Sequence, residues 1–265
     1  MLKKLLITGA AGGLGRAMRS RLGEVAETLR LADIVPVADP GSNEEAVTCD
    51  LADAAAVRAM VAGCDGIVHF GGKSVEGDFA TILNANILGL YNLYEAARAE
   101  GVGRVLFASS NHTIGFYRQD EWLKTTDPMR PDGLYGVSKC FGEALASMYH
   151  DKFGIETAIV RIGSCFEEPM NHRMLATWMS FDDCAALIGC IFRAPRLGCP
   201  VIWGVSDNDQ KWWDTASAAA IGWRPKDNSE RFRAALDAKM ERPAKDHPNA
   251  VYQGGMFTQE PIHGA

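Results

Sequence analysis

Short apolar runs alternate along the chain with longer segments whose apolar residues recur every third or fourth position, the pattern of repeated strand–helix units. Seven runs read as strands, at residues 4–8, 28–32, 46–48, 66–70, 104–108, 157–162 and 200–203, each closed by Gly, Ser or Asp at or just past its end. Between them the spacing predicts helices over 13–22, 54–61, 79–99, 134–152 and 182–192, the last capped by Ser180 or Asp182. Past the seventh strand the pattern weakens. A helix is expected over 212–221, another opened by Asp227 with Glu230 three residues on, and from about Pro243 a surface or oligomer-contact tail.

Strands that alternate with helices bury both sheet faces, so the expected fold is α/β, a Rossmann-type doubly wound parallel sheet of about seven strands. No repeat, low-complexity tract or linker interrupts it. The chain therefore reads as a single domain over 1–265, with a cofactor-binding core at about 1–160 and a small substrate-binding C-terminal part at about 161–265.

Composition narrows the function classes. At 265 residues, 47% hydrophobic and 23% charged, a sizeable core is available, while a net charge of −6 supplies no basic field for a phosphate backbone, so neither nucleic acid nor a membrane is an expected partner. The seven cysteines, odd in number and scattered without CxxC or metal spacing, read as reduced thiols of a cytoplasmic protein, with no metal site expected. The opening MLKKLLITGA has too short an apolar run for a secretory segment and reads as the first strand.

The first strand runs directly into Gly9-Ala10-Ala11-Gly12-Gly13-Leu14-Gly15, which opens a helix. A tight turn, a backbone open to close approach and a helix N-terminus together suit a pyrophosphate. Asp33, 24 residues after Gly9 at the end of strand two, is placed to accept from a ribose 2′-hydroxyl and to repel a 2′-phosphate, which favours NAD over NADP. Asp50 closes strand three, where it either reaches the adenine edge or caps the helix that starts near Asp53.

Tyr135-Gly136-Val137-Ser138-Lys139 places a phenol and an ammonium four residues apart, on one face of a helix. A tyrosine near pKa 10 is a poor base at neutral pH, and an adjacent cation stabilises its phenolate. Strand five ends at Ala108-Ser109-Ser110-Asn111-His112, at the carboxyl edge where ligands bind in open parallel sheets, and offers a hydroxyl for the reacting oxygen.

With the Gly loop, the acid after strand two, Ser110 and Tyr135/Lys139 in chain order, the sequence resembles the short-chain dehydrogenase/reductase superfamily over nearly its whole length. The GxxGxxG spacing, His69-Phe70-Gly71-Gly72 and Asn86-Ile87-Leu88-Gly89-Leu90-Tyr91-Asn92-Leu93 resemble its extended, sugar-acting branch. Phe107 to Gly115, Tyr135 to Glu143, Val160 to Cys165, Arg173-Met174-Leu175 and Trp212-Trp213 are similar to the bacterial uronate dehydrogenase family.

That resemblance implies NAD as cofactor, held by Gly9, Gly12, Gly13, Leu14, Gly15, Asp33, Asp50, Leu51, Gly71 and Lys139. It implies C1 oxidation of a hexuronate, D-glucuronate or D-galacturonate, to an aldarolactone, with Tyr135 as base and Lys139 and Ser110 beside it. A carboxylate substrate asks for a fixed cation. Arg173 is the candidate by resemblance, against the reading of a solvated surface arginine, while Arg161 inside strand six reads as structural. Ser74, Ser110, Asn111, His112, Tyr135 and Ser164 complete the implied substrate set, and Trp203, Trp212 and Trp213 are expected in the core. A homo-oligomer is expected. The rival readings are a sugar epimerase or dehydratase on the same fold, and a non-catalytic NAD-sensing regulator.

Overall fold

The computed structural model describes residues 1–264. Its strands are β1 (Leu2–Thr8), β2 (Ala26–Asp33), β3 (Glu44–Thr48), β4 (Gly66–His69), β5 (Arg104–Ser110), β6 (Glu156–Ile162), β7 (Ser164–Cys165), β8 (Trp178–Met179) and β9 (Val201–Gly204). The seven expected strands form one parallel sheet, in the order β3-β2-β1-β4-β5-β6-β9. β7 and β8 pair separately as a two-residue ribbon.

The helices that cover the sheet are α1 (Gly13–Arg19), α2 (Ala54–Val61), α3 (Phe79–Ile82), α4 (Gly89–Glu100), α5 (Leu134–Phe153), α6 (Met174–Thr177) and α7 (Phe181–Arg193). Strand side chains alternate between faces, and the two cores follow from that. Leu5 and Ile7 of β1 pack with Met18 of α1 and with Leu187 and Ile188 of α7. Leu6, between them in sequence, packs with Met60 of α2, Leu90 of α4 and Leu145 of α5 on the opposite face. Each such buried side chain contributes about 1.5–3 kcal/mol. Ser180 caps α7 by accepting from Asp183 N–H at 2.9 Å.

The chain order reverses between β1 and β4, opening a crevice at their carboxyl ends. The helix expected over 79–99 is continuous but widens into a π-helical stretch, Leu83–Leu88, between α3 and α4. Asn86 in that stretch accepts from Lys73 N–H at 2.7 Å and donates to the Ser138 hydroxyl at 2.9 Å, so the widened turn joins the loop after β4 to α5.

Three C-terminal expectations are corrected. Residues 212–221 are not one helix. Leu123 takes the backbone hydrogen bonds of Trp212 and Asp214, and only Ala216–Ala219 is helical. Trp213 stacks on Trp203 at 4.6 Å within a small core that also holds Trp212, Ile114 and Leu123, and this burial outweighs the helical pattern. The next helical turn, Ser229–Phe232, is capped by Asn228 rather than Asp227, because the Asn228 side chain accepts from Glu230 N–H at 2.9 Å. Nor is the tail a surface segment throughout. Gln253 is fully enclosed, bonded through its side chain to Trp213, Arg118 and Glu121, and it straps residues 248–259 across the carboxyl end of the sheet.

Candidate active site

One elongated cleft of about 760 Å³ runs along the carboxyl edge from the Gly loop to Tyr135. On the Gly-loop side its wall is largely backbone. Gly9 has φ +71° and lies so close to the chain after β4 that a Cβ would come within 2.7 Å of the Phe70 carbonyl carbon. At Gly15 a Cβ would collide with the carbonyl of Gly9, so helix and turn pack only with glycine there. Gly13 faces open space, leaving the backbone free for a ligand's approach. The Asp33 carboxylate accepts from Ala11 N–H at 2.9 Å and from Val35 N–H at 3.3 Å, and thereby fixes the turn while lining the cleft. Asp50 and Leu51 line it as well. Asp50 accepts from Ala52 N–H, whereas the cap of α2 is Asp53, so of the two roles left open for Asp50 the helix cap falls to its neighbour. This glycine cradle, with a carboxylate beyond it, fits a dinucleotide.

Below the loop, Thr8 accepts from Gly71 N–H at 3.1 Å and shares a hydrogen bond with His69 Nδ1 at 2.7 Å. Burial, with the Lys139 charge nearby, pushes His69 down to about 3, so this imidazole is neutral and structural.

Tyr135, Lys139 and Ser110 meet in the cleft wall. The α-helical register stacks Lys139 one turn beyond Tyr135, its ammonium 5.6 Å from the phenol ring centre and held by the Ala108 carbonyl at 2.8 Å. Burial lowers Lys139 to about 8. Burial also pushes the Tyr135 hydroxyl up to about 12; a hydrogen bond from Ser110 opposes that rise and the Asp132 charge adds to it. Ser110 Oγ accepts from His112 N–H at 3.1 Å, which leaves its own proton to donate to the Tyr135 oxygen. The arrangement is a desolvated phenol flanked by a cation and a hydroxyl donor, able to take a proton once further positive charge is beside it.

The remaining implied substrate residues are distributed unevenly. Ser74 lines the cleft. Asn111 is buried and donates to the Gln253 carbonyl at 3.3 Å. His112 is edge-on to Tyr135 at 5.7 Å, stacked on Phe257 at 3.8 Å, and bonded through Nδ1 to Asp132 at 2.8 Å. Arg173 is 8% exposed and no surface arginine. It donates to the Gln253 carbonyl at 2.6 Å, and burial lowers it to about 10, which leaves it cationic at neutral pH. Asn111, His112, Arg173 and Ser164 are not on the cleft wall itself, and the Ser164 hydroxyl is shared with Thr177 at 2.9 Å. Arg161 is paired with Glu143 at 2.8 Å inside the core, the structural role expected of it.

Four residues of this neighbourhood escaped sequence reasoning. Glu76 accepts from Leu134 and Tyr135 N–H at 3.0 and 3.1 Å, supplying a carboxylate cap to α5 where Gly133 has no side chain to offer. Asp132, Gln253 and Phe257 were missed as well. The only local signals were Asp132-Gly133 just ahead of a helix and the Gly254-Gly255 pair in the tail, both readable as ordinary turns.

Residues 5–180 match the model of the NAD dependent epimerase/dehydratase family. The chain is 62% identical to the uronate dehydrogenase of Agrobacterium fabrum, over 98% of each chain. A mutant of uronate dehydrogenase from Agrobacterium tumefaciens, solved in complex with NAD, superposes with a TM-score of 0.97 at 61% identity, covering 99% of both chains. Glucuronic acid dehydrogenase from Chromohalobacter salexigens superposes with a TM-score of 0.98 at 52% identity, covering 100% of both.

Proposed function

Since this chain belongs to the NAD-dependent epimerase/dehydratase family and, within it, to the uronate dehydrogenases, we propose that it oxidises a hexuronate at C1 with NAD. The reading rests on one observation above the others: a buried, cationic Arg173 shares the Gln253 carbonyl with Asn111, the neighbour of Ser110 in the Ser110/Tyr135/Lys139 group. A carboxylate-bearing sugar uses both.

NAD, when bound, supplies the hydride acceptor and a positive nicotinamide ring. The protein's part is proton transfer and positioning. Ser110 and Tyr135 hold the C1 hydroxyl, and Tyr135 takes its proton as the C1–H bond gives up hydride, leaving C1 as the carbonyl of an aldarolactone that opens to the aldaric acid. Lys139 holds the phenolate by its charge and binds the cofactor ribose. Ser74, Asn111 and His112 are assigned to the sugar, and Arg173 to its carboxylate by a charge-assisted hydrogen bond, while Ser164, bonded to Thr177 and off the cleft wall, is left out of the set. Held in such geometry, the reacting groups lose most of the entropic barrier before the chemistry starts. The seven free cysteines suit a reducing cytoplasm, and assembly as a homo-oligomer belongs to the same proposal.

The test is NADH absorbance with purified protein, NAD and D-glucuronate or D-galacturonate, set against glucose, galactose and UDP-sugars. Turnover of uronates alone is expected. Conversion of a UDP-sugar read by chromatography of the products, with no net NADH, would move the protein to an epimerase or dehydratase role, and no conversion of any sugar to a sensor.

A further inference from the structure

His112 is constrained on every side but one. Its backbone N–H is taken by Ser110, Phe257 stacks on one face of its ring, Tyr135 meets it at an angle, and Nδ1 is held by Asp132. Among the described residues Nε2 has no hydrogen-bonding partner in the protein, and it is not among the fully enclosed polar atoms, so the protein leaves this nitrogen free to pair.

Asp132 is unusual in the opposite sense. Its side chain is completely enclosed, one oxygen is spent on His112, and the other, Oδ1, is enclosed without a partner. Two glycines from distant parts of the chain make the room, since a Cβ on either Gly115 or Gly254 would collide with this carboxylate. Gly254 N–H bonds to the Gly115 carbonyl at 2.9 Å and closes the C-terminal strap over it. An enclosed carboxylate with an unpaired oxygen is costly to keep, and the packing keeps it for one contact, that with His112.

A carboxylate only accepts hydrogen bonds, so the Nδ1 that faces it carries a proton, and a ring bearing that one proton presents Nε2 as a lone-pair acceptor. We propose that Asp132 is the positioning residue that holds His112 as a hydrogen-bond acceptor, so that Nε2 takes a hydroxyl of the sugar while Arg173 takes its carboxylate. This rests on the uronate reading above and adds a division of labour to it. Of the two nitrogen-bearing side chains that frame the ligand, one is fixed as donor and the other as acceptor, and a sugar acid is seated in one orientation. With the opposite tautomer, Nε2–H would offer the carboxylate a second donor, and the two ends of the substrate would compete for it.

The experiment has two arms. Nitrogen-15 NMR of histidine-labelled wild-type protein with NADH, with the His112 signals assigned by their loss in His112→Gln, reads the tautomer directly and needs no turnover. Nε2 is expected as the unprotonated nitrogen, and an unprotonated Nδ1 or a ring protonated at both nitrogens overturns the proposal even if uronates are oxidised. The second arm compares Asp132→Asn, which keeps an acceptor oxygen in the same volume, with Asp132→Leu, which keeps none, using NAD affinity as the control for folding. Asp132→Leu should raise the uronate KM on the order of tenfold or more while Asp132→Asn stays within about threefold. Equal losses in the two would assign the effect to the charge near Arg173 and overturn the tautomer role, as would an unchanged KM in both. If Asp132→Leu fails to bind NAD, the NMR arm alone decides. Absence of any uronate turnover in the wild type, with the expected tautomer, would instead count against the function and leave the positioning role standing.

Discussion

Along the Gly-loop end of the cleft the wall is made of main chain: Gly9, Gly12, Gly13 and Gly15 present peptide groups, and Asp33 braces the turn from the neighbouring strand. At the other end Ser74 lines the cleft, and next to the wall lies a cluster of side chains from separate stretches, His112 with Asp132, Arg173 on the Gln253 carbonyl, and Phe257 stacked on His112, bound to one another rather than to their own neighbours. The first end is set by backbone sterics: Gly15 packs on Gly9 within the loop, and Gly9 on Phe70 of the chain after β4. The second exists only when the chain is folded, because its main links span 80 to 142 positions. Dinucleotides vary little in shape and suit a fixed backbone mould, whereas the sugar end of the ligand is discriminated by groups that side chains can change one at a time.

Tyr135 stands on the seam of the two ends, and its removal should have the largest effect. Tyr135→Phe is expected to lower turnover on the order of 10²–10⁴-fold, while NAD affinity, measured by fluorescence titration, stays close to wild type. Its pH dependence follows from the two shifted groups. The Tyr135 hydroxyl, at about 12, is protonated through the neutral range, so oxidation should quicken as pH rises and more phenolate forms. Lys139, lowered to about 8, loses its charge above that pH, and the rise should flatten there. A pH-independent rate between 6 and 8 would remove Tyr135 as base.

Next in size is the side-chain cluster. Arg173→Ala should reduce kcat/KM for uronate by roughly 10- to 150-fold, the loss of about 1.5–3 kcal/mol from one hydrogen bond to a charged group. NAD affinity should not move, and loss of both would break the division between the two ends. Neutral sugars, if they turn over at all, should lose much less.

The same contrast explains what was legible before folding. All seven sheet strands, the Gly loop, Asp33 and the Tyr135/Lys139 pair follow from spacing within one element, because periodicity and glycine sterics act over a few residues. Even the cap of α7 at Ser180 could be named in this way. Gln253 could not. Its significance lies in a carbonyl that receives Arg173 and Asn111, and any residue has a carbonyl. Nor could Glu76, which caps a helix that begins 58 residues later. The helix expected over 212–221 failed for a related reason: its apolar residues face a tryptophan on β9 instead of a helical neighbour.

On the backbone wall, Asp33→Asn keeps an oxygen for Ala11 N–H but removes the negative charge. The preference for NAD over NADP should narrow by about tenfold, roughly 1.4 kcal/mol, measured as the ratio of the two kcat/KM values. The KM for uronate should stay put, the mirror image of Arg173→Ala.

The smallest effect should come from the residue that belongs to both ends. Glu76 lies two residues beyond Ser74 and caps α5 at Tyr135, so it ties the loop from β4 to the catalytic helix. Glu76→Ala removes both acceptors from an otherwise uncapped N-terminus, a loss of about 1 kcal/mol and ~2–4 °C in Tm for a chain of this size. Glu76→Gln keeps one acceptor oxygen and should recover part of that loss. Because the cap holds the loop as well as the helix, kcat for uronate oxidation should fall a few-fold in Glu76→Ala, and to a smaller extent in Glu76→Gln. A fall in Tm with unchanged kcat would mean that α5 holds Tyr135 in place without help from the loop, and the two ends of the cleft would then be coupled only through the ligand that spans them.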